Sequence, residues 1–162
     1  MLRGGSLVKV KTVSESKVVM TNVMMPQHAN PAGNVYGGEV MKMMDTVAGA
    51  VAKKHTRSNI VTVRVDELKF MQPIHIGDLV TCAGNLTYVG RTSMEILVTV
   101  VVENLSKDER PVTALTALFT LVSLDDHGRT IPVPRLEINT EGERQAYEEG
   151  NKRYLIYKKQ SS

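Results

Sequence analysis

Asp45 is the first side chain with a claim to chemistry. Around it, Val40, Met41, Met43, Met44, Val47, Ala48, Val51 and Ala52 recur at helical spacing, while Glu39, Lys42, Thr46 and Lys53 form a narrow polar strip. On the helical wheel Asp45 lies on the flank of the apolar face, beside Met41, Ala48 and Ala52. A carboxylate set against apolar surface is costly unless partnered, and such groups are common bases and nucleophiles. Helix position alone fits equally well a structural bond to a backbone group where two subunits touch. Gly37 and Gly38 open the same helix. Glycines there expose the unpaired N–H groups of the first turn, which can hold an anion or the oxyanion formed when a carbonyl is attacked. A tight loop-to-helix turn is the plainer explanation. Asn30 precedes Pro31-Ala32-Gly33 in the loop feeding the helix, and could donate to a reacting carbonyl or place a water. An Asx-turn is its ordinary alternative.

Gly90-Arg91-Thr92-Ser93 offers a guanidinium and two hydroxyls at a turn between strands, partners for a phosphate or an amide-bearing chain, although exposed turn arginines are commonly just solvated. The other reactive types are less promising. Cys82 lies within a strand pattern with no histidine at a telling spacing, so it reads as a buried thiol. His28, His55, His75 and His127 are scattered, and nothing has metal-ligand spacing. Ser93 lacks a Gly-x-Ser-x-Gly context, and Gly33 to Gly38 is not a phosphate loop because no Lys-Ser/Thr follows.

Those residues need a frame. Val18 to Met25 reads as a short β-like run stopped by Pro26, then turn chemistry runs from Gln27 to Tyr36. A helix from Glu39 to about His55 follows, apolar over well over half its circumference, and so enclosed by a sheet. Ile60–Phe70, Leu79–Val89, Thr92–Glu103 and Val112–Leu124 alternate Val, Thr, Ile and Leu as strands. Runs this long, against about five or six residues in a usual strand, suit a strongly curved sheet. The order is β-α-β-β-β-β, an early central helix followed by an antiparallel meander. Ile131 to Leu136 is Pro-rich and extended, and Thr140 with Glu143 forms a capping-box pattern opening a polar helix to about Lys159. The chain therefore divides into a loose terminus at 1–16, one domain at 17–136 and a helical tail at 137–162.

The 162 residues fit a single domain. No run approaches the ~18 apolar residues of a membrane helix, and the basic start lacks the apolar core of a secretory signal. One cysteine excludes an internal disulfide and suits a reducing compartment, so a cytoplasmic protein is expected and the two Asn-x-Ser/Thr triplets are chance. A net charge of +3, dispersed along the chain, with no tryptophan, argues against nucleic-acid binding but suits a small anionic ligand.

Asn30-Pro31-Ala32-Gly33-Asn34-Val35-Tyr36-Gly37-Gly38, Met43-Met44-Asp45, Phe70 with Pro73 and Gly77-Asp78, and Val89-Gly90-Arg91-Thr92-Ser93-Met94 form an ordered series. The series resembles the hotdog-fold acyl-CoA thioesterases, in particular the cytosolic acyl-CoA hydrolase group of YciA-type and brain-type enzymes, from about Val18 to Tyr154. Val133-Pro134-Arg135-Leu136 and the segments Tyr147–Gly150 and Arg153–Leu155 are most similar to the brain-type branch. The resemblance implies an α+β hotdog fold, a long central helix wrapped by a curved antiparallel sheet, plus a C-terminal helix. It implies hydrolysis of acyl-CoA to acid and CoA, with no metal and no cofactor beyond the CoA of substrate and product. Asp45 would be general base or nucleophile, Asn30 would polarise the thioester or place water, and the Gly37 and Gly38 amides would hold the oxyanion. For such a substrate, Gly90, Arg91, Thr92 and Ser93 are the expected CoA contacts, with Arg135 a weaker candidate for its phosphates, and Met41, Met44, Val47 and Met71 are expected in the pocket wall. A homodimer is the implied minimal unit, assembling as a trimer of dimers. The rivals are a non-catalytic acyl-CoA sensor, a purely structural oligomer, and a dehydratase of the same fold, whose histidine motif is missing here.

Overall fold

The computed structural model describes residues 9–162. In chain order the elements are β1 (Val10–Thr12), α1 (Val13–Ser16), β2 (Val18–Val23), a 3-10 turn at Pro26–His28, α2 (Gly37–Thr56), β3 (Asn59–Phe70), β4 (Leu79–Val89), β5 (Ser93–Glu103), β6 (Val112–Leu124), β7 (Arg135–Glu137) and α3 (Glu141–Gln160). Five strands form an antiparallel sheet in the order β2-β4-β5-β6-β3. This is the hotdog arrangement the resemblance implies, with α2 lying across the inner face and touching all five strands.

Apolar spacing explains why α2 is enclosed. Met44, Val47, Ala48, Val51 and Ala52 are fully buried, facing Cys82, Ile96, Val98, Val100, Phe119 and Leu121 of the sheet. Gly84 of β4 lets the helix come close: a Cβ there would lie 2.8 Å from a Val47 methyl and 3.0 Å from one of Val51. The helix stops at Arg57, which adopts a left-handed conformation (φ 56°) and donates its N–H to the Lys53 carbonyl.

Two expectations need correction. The strands are not a simple meander: only β4-β5-β6 is, while β3 pairs with β6 at the far edge. α2 spans the sheet, so the strand leaving it joins the opposite side, and residues 71–78 carry the chain back to β4. The terminus is not loose through residue 16. Residues 1–8 lie outside the described residues, but β1 pairs in parallel with β7 and Thr12 caps α1 by a capping box with Glu15. The expected boundary after residue 136 consequently falls inside β7.

β3 carries two register breaks, between Thr62 and Arg64 and between Asp66 and Lys69; Glu67 in the second has φ 51°. The first break reverses the alternation. Thr62 pairs with core-facing Leu121 and so faces α2, while Arg64, two residues on, turns to the outer face, where its guanidinium lies 3.3 Å from the centre of the Tyr157 ring.

α3 docks on that outer face. Thr140 accepts from the Glu143 N–H, and Glu143 returns a bond to Asn139 N–H, a capping box displaced by one residue. Arg153 clamps buried Glu95 with two bonds of 2.8 and 2.9 Å, and Thr87 Oγ1 donates a third at 2.7 Å. The Tyr147 and Tyr154 rings stand against Tyr88, and Gly150 is the residue of α3 that is buried. Among the described residues no helix is long and apolar enough to cross a membrane.

Candidate active site

The loop before α2 is closed and pinned. Asn30 N–H donates to Asn34 O at 2.7 Å, Gly33 turns with φ 86°, and Val35 N–H donates to Ile74 O at 2.9 Å. The Asn30 side chain accepts from the Ala32 and Asn34 N–H groups at 3.0 and 3.1 Å. Two backbone donors converge on one atom, so that atom is the amide oxygen, and the Asx-turn reading is correct for that end. The NH2 end is then the one able to serve a ligand. Asn30 borders a cavity of about 210 Å3 lined by Gly37, Val40, Phe70, Ile74 and Leu115 among others.

At the start of α2, Tyr36 provides no side-chain cap, and the first helical amide with a backbone acceptor among the described bonds is that of Glu39. The Gly37 and Gly38 N–H groups thus remain open donors at the positive end of a 20-residue helix. Each glycine has its own reason. A Cβ on Gly37 would touch the Phe70 ring at 3.3 Å, whereas the space above Gly38 is open.

Asp45 lies two turns further along, exposed on the flank of α2 rather than pressed into apolar surface. Thr62 Oγ1 donates to its Oδ1 at 2.7 Å. That bond aims the carboxylate and leaves Oδ2 for another proton. Seven residues of helix rise separate Gly38 from Asp45 by about 10 Å. A carbonyl about 3 Å from the helix-entry amides is therefore well separated from Asp45 of the same chain.

The thioesterase superfamily model matches residues 32–107. The cytosolic acyl coenzyme A thioester hydrolase of Rattus norvegicus is 42% identical over 151 residues, 91% of this chain. A crystal structure of an apo-hexameric acyl-CoA thioesterase superposes with a TM-score of 0.89 at 32% identity, covering 96% of this chain and 99% of that one. This chain belongs to the thioesterase superfamily. It spans about two fifths (39%) of the length of the rat relative. The Staphylococcus aureus acyl-CoA hydrolase, solved with butyryl coenzyme A and coenzyme A, has a TM-score of 0.80 at 29% identity, covering 94% of this chain and 96% of that one. Its alanine variants replace an asparagine, an aspartate and a threonine, spaced fifteen and then seventeen residues apart. Asn30, Asp45 and Thr62 have the same intervals.

Within this thioesterase-superfamily chain the turn between β4 and β5 is held at every carbonyl. Gly90 O accepts from Arg135 Nη2, Arg91 O from Val133 N–H at 2.9 Å, Thr92 O from Ser123 N–H at 3.0 Å, and Ser93 O from Gly90 N–H at 2.9 Å. Arg91 projects from it into solvent. Arg135, expected at a ligand phosphate, is half-buried with one amino group on the Gly90 and Val133 carbonyls, tying the turn to the chain before β7. The expected acyl-pocket wall is also revised: Met44 and Val47 are fully enclosed core residues, and the cavity beside Asn30 is walled by Val40, Phe70, Ile74 and Leu115.

Thr62 carries no signal in the sequence, because a threonine in a strand is ordinary and its link to Asp45 spans 17 residues. Cys82 is fully enclosed, and burial pushes its thiol up to about 12, which keeps it protonated and inert. Among the described residues no group of three or more His, Cys, Asp or Glu could hold a metal.

Proposed function

We propose that this chain hydrolyses acyl-CoA thioesters to a free acid and CoA, at a site completed by a second copy. One observation carries the reading: a single helix bears open amide donors at its start and, about 10 Å on, a carboxylate aimed by Thr62. The two halves suit one thioester only if they come from different chains. Exposed Val61, Val63, Val65, Phe70 and Met71 run along the β3 edge, and Tyr36 stands exposed just before α2; a second copy pairing there would cover apolar surface and edge amides together. The hexameric neighbour supports further assembly into a trimer of dimers.

In this reading Asn30 and the Gly37 and Gly38 amides bind the thioester oxygen, where negative charge grows as the carbonyl is attacked. Asp45 of the facing chain takes a proton from water, whose oxygen bonds to the carbonyl carbon. The tetrahedral intermediate collapses, the C–S bond breaks and CoA leaves as thiolate. Direct attack by Asp45, giving a mixed anhydride that water then opens, uses the same groups. The spacing shared with the S. aureus variants supports a role for Asn30, Asp45 and Thr62. Arg91, Thr92 and Ser93, on their tied turn, supply CoA contacts.

Thiol release from acyl-CoAs of increasing chain length tests the activity. Asp45→Ala and Asn30→Ala, each impaired alone, should regain part of the activity when unfolded together and co-refolded, because mixed dimers hold one intact site. No recovery would sink the shared site. Tight acyl-CoA binding without any turnover would favour the sensor.

A further inference from the structure

We propose that α3 is a positioning element for CoA recognition, and that it acts through the Tyr154 ring seated on the Gly90–Ser93 turn. The inference rests on the reading of that turn as a CoA contact. The turn's carbonyls are fixed from one side by Arg135, Val133 and Ser123, elements that follow β6 or end it. On Gly90 the turn also meets α3. A Cβ added to Gly90 would lie 3.0 Å from Cε2 and 3.3 Å from Cζ of Tyr154, and 2.9 Å from Ser93 Oγ. Gly90 is therefore small because the ring occupies the space a side chain would need. Without the ring, the turn keeps its carbonyl bonds but loses the surface it rests on.

The ring is itself held in place. Arg153, beside it in sequence, is locked to Glu95, and Gly150, one turn earlier, presses on Tyr88 so closely that a Cβ would come within 2.6 Å of the Tyr88 Cβ. Tyr88 and Glu95 flank the turn on β4 and β5. The helix thus grips the two strands that emerge from the turn and lays one ring against its first residue, Gly90. Such a contact fixes where Arg91, Thr92 and Ser93 point before ligand arrives, and preorganisation of this kind improves binding without touching the reacting carbonyl. Tyr154 is a positioning residue, far from Asp45 in role and in fold.

The test uses the full chain, with acyl-CoA and the matching acyl-pantetheine, which lacks the nucleotide, as paired substrates. Tyr154→Ala should raise KM for acyl-CoA by about five- to tenfold, leave kcat within about twofold, and leave kcat/KM for acyl-pantetheine unchanged. Tyr154→Phe keeps the ring and should match wild type. Should Tyr154→Ala fail to fold, Tyr154→Leu keeps an apolar side chain on α3 but withdraws the ring from Gly90, and should show the same selective rise. Equal losses on both substrates, or a fall in kcat alone, would show a general structural role and overturn the inference. Arg91→Ala separates the two layers. A raised KM in Arg91→Ala with none in Tyr154→Ala overturns the positioning alone; no change in Arg91→Ala overturns the CoA reading of the turn and the positioning with it.

Discussion

α2 and α3 are both 20 residues long, yet they are held in opposite ways. α2 is held by area: eight of its residues are buried, and it carries its polar chemistry on what the core leaves over. α3 is held at points: one buried glycine, one ion pair and a few tyrosine rings, with Leu155 and Ile156 left exposed. Area burial is non-directional and tolerates a functional flank, whereas point contacts are directional and transmit position. On the proposed reading, the scaffold helix carries the reaction and the docked helix tunes what it acts on.

Four measurements would break or sharpen that contrast. Asp45→Ala should have the largest effect, lowering kcat for thiol release by about 10^2- to 10^4-fold, the range of a lost general base, with little change in melting temperature. A melting temperature that fell with activity would put Asp45 among the residues holding α2. Its neighbour Met44→Ala should do the reverse, costing about 2–5 kcal/mol in denaturant unfolding because a fully enclosed side chain leaves a cavity. Third, Glu95→Gln removes the charge that Arg153 grips. Because Arg153 is 21% exposed and can turn to water, the loss should be only about 1–2 kcal/mol. Hydrogen exchange should show it in α3 amides and not in α2; equal loosening of both helices would end the distinction.

The fourth concerns pH. His55, at the end of α2, is fully enclosed, with Nε2–H on the Pro134 carbonyl and no partner for Nδ1. Burial lowers its pKa from the ordinary 6.5, partly offset by the Pro134 bond, while Lys11 and Arg135 lower it further and Glu15 raises it. The unfolded chain then takes up the proton first. Stability from this group is complete above about pH 6.5 and declines as pH falls toward the depressed folded value. His55→Gln should flatten the drop in melting temperature across that window, the smallest effect of the four; an unaltered slope would assign the drop to other groups.

Much of α2 and of β4 to β6 was legible because their apolar periods are long and local. Val47, Ala48 and Val51 announce a buried stripe whatever surrounds them. The position of β3 was not legible, since strand order depends on where a spanning helix delivers the chain, not on the strand's own residues. Its breaks were hidden too: Glu67 adopts positive φ without being glycine. At the site, Asp45 and Asn30 stood out by type and context. Thr62 did not, because only folding brings it to Asp45. Arg135 showed its charge in the sequence but not that backbone carbonyls would claim it.

The interrupted alternation of β3 bears on solubility. An unbroken edge of twelve residues rich in valine would be a template on which strand after strand could stack into a fibril. The two breaks cut that edge into short regular stretches, so an incoming strand finds only a brief run of matched amides. A second copy meeting it about a two-fold axis uses that run once and closes it. In the proposed pair such a joint ends strand addition along that edge, so its apolar surface need not become a liability.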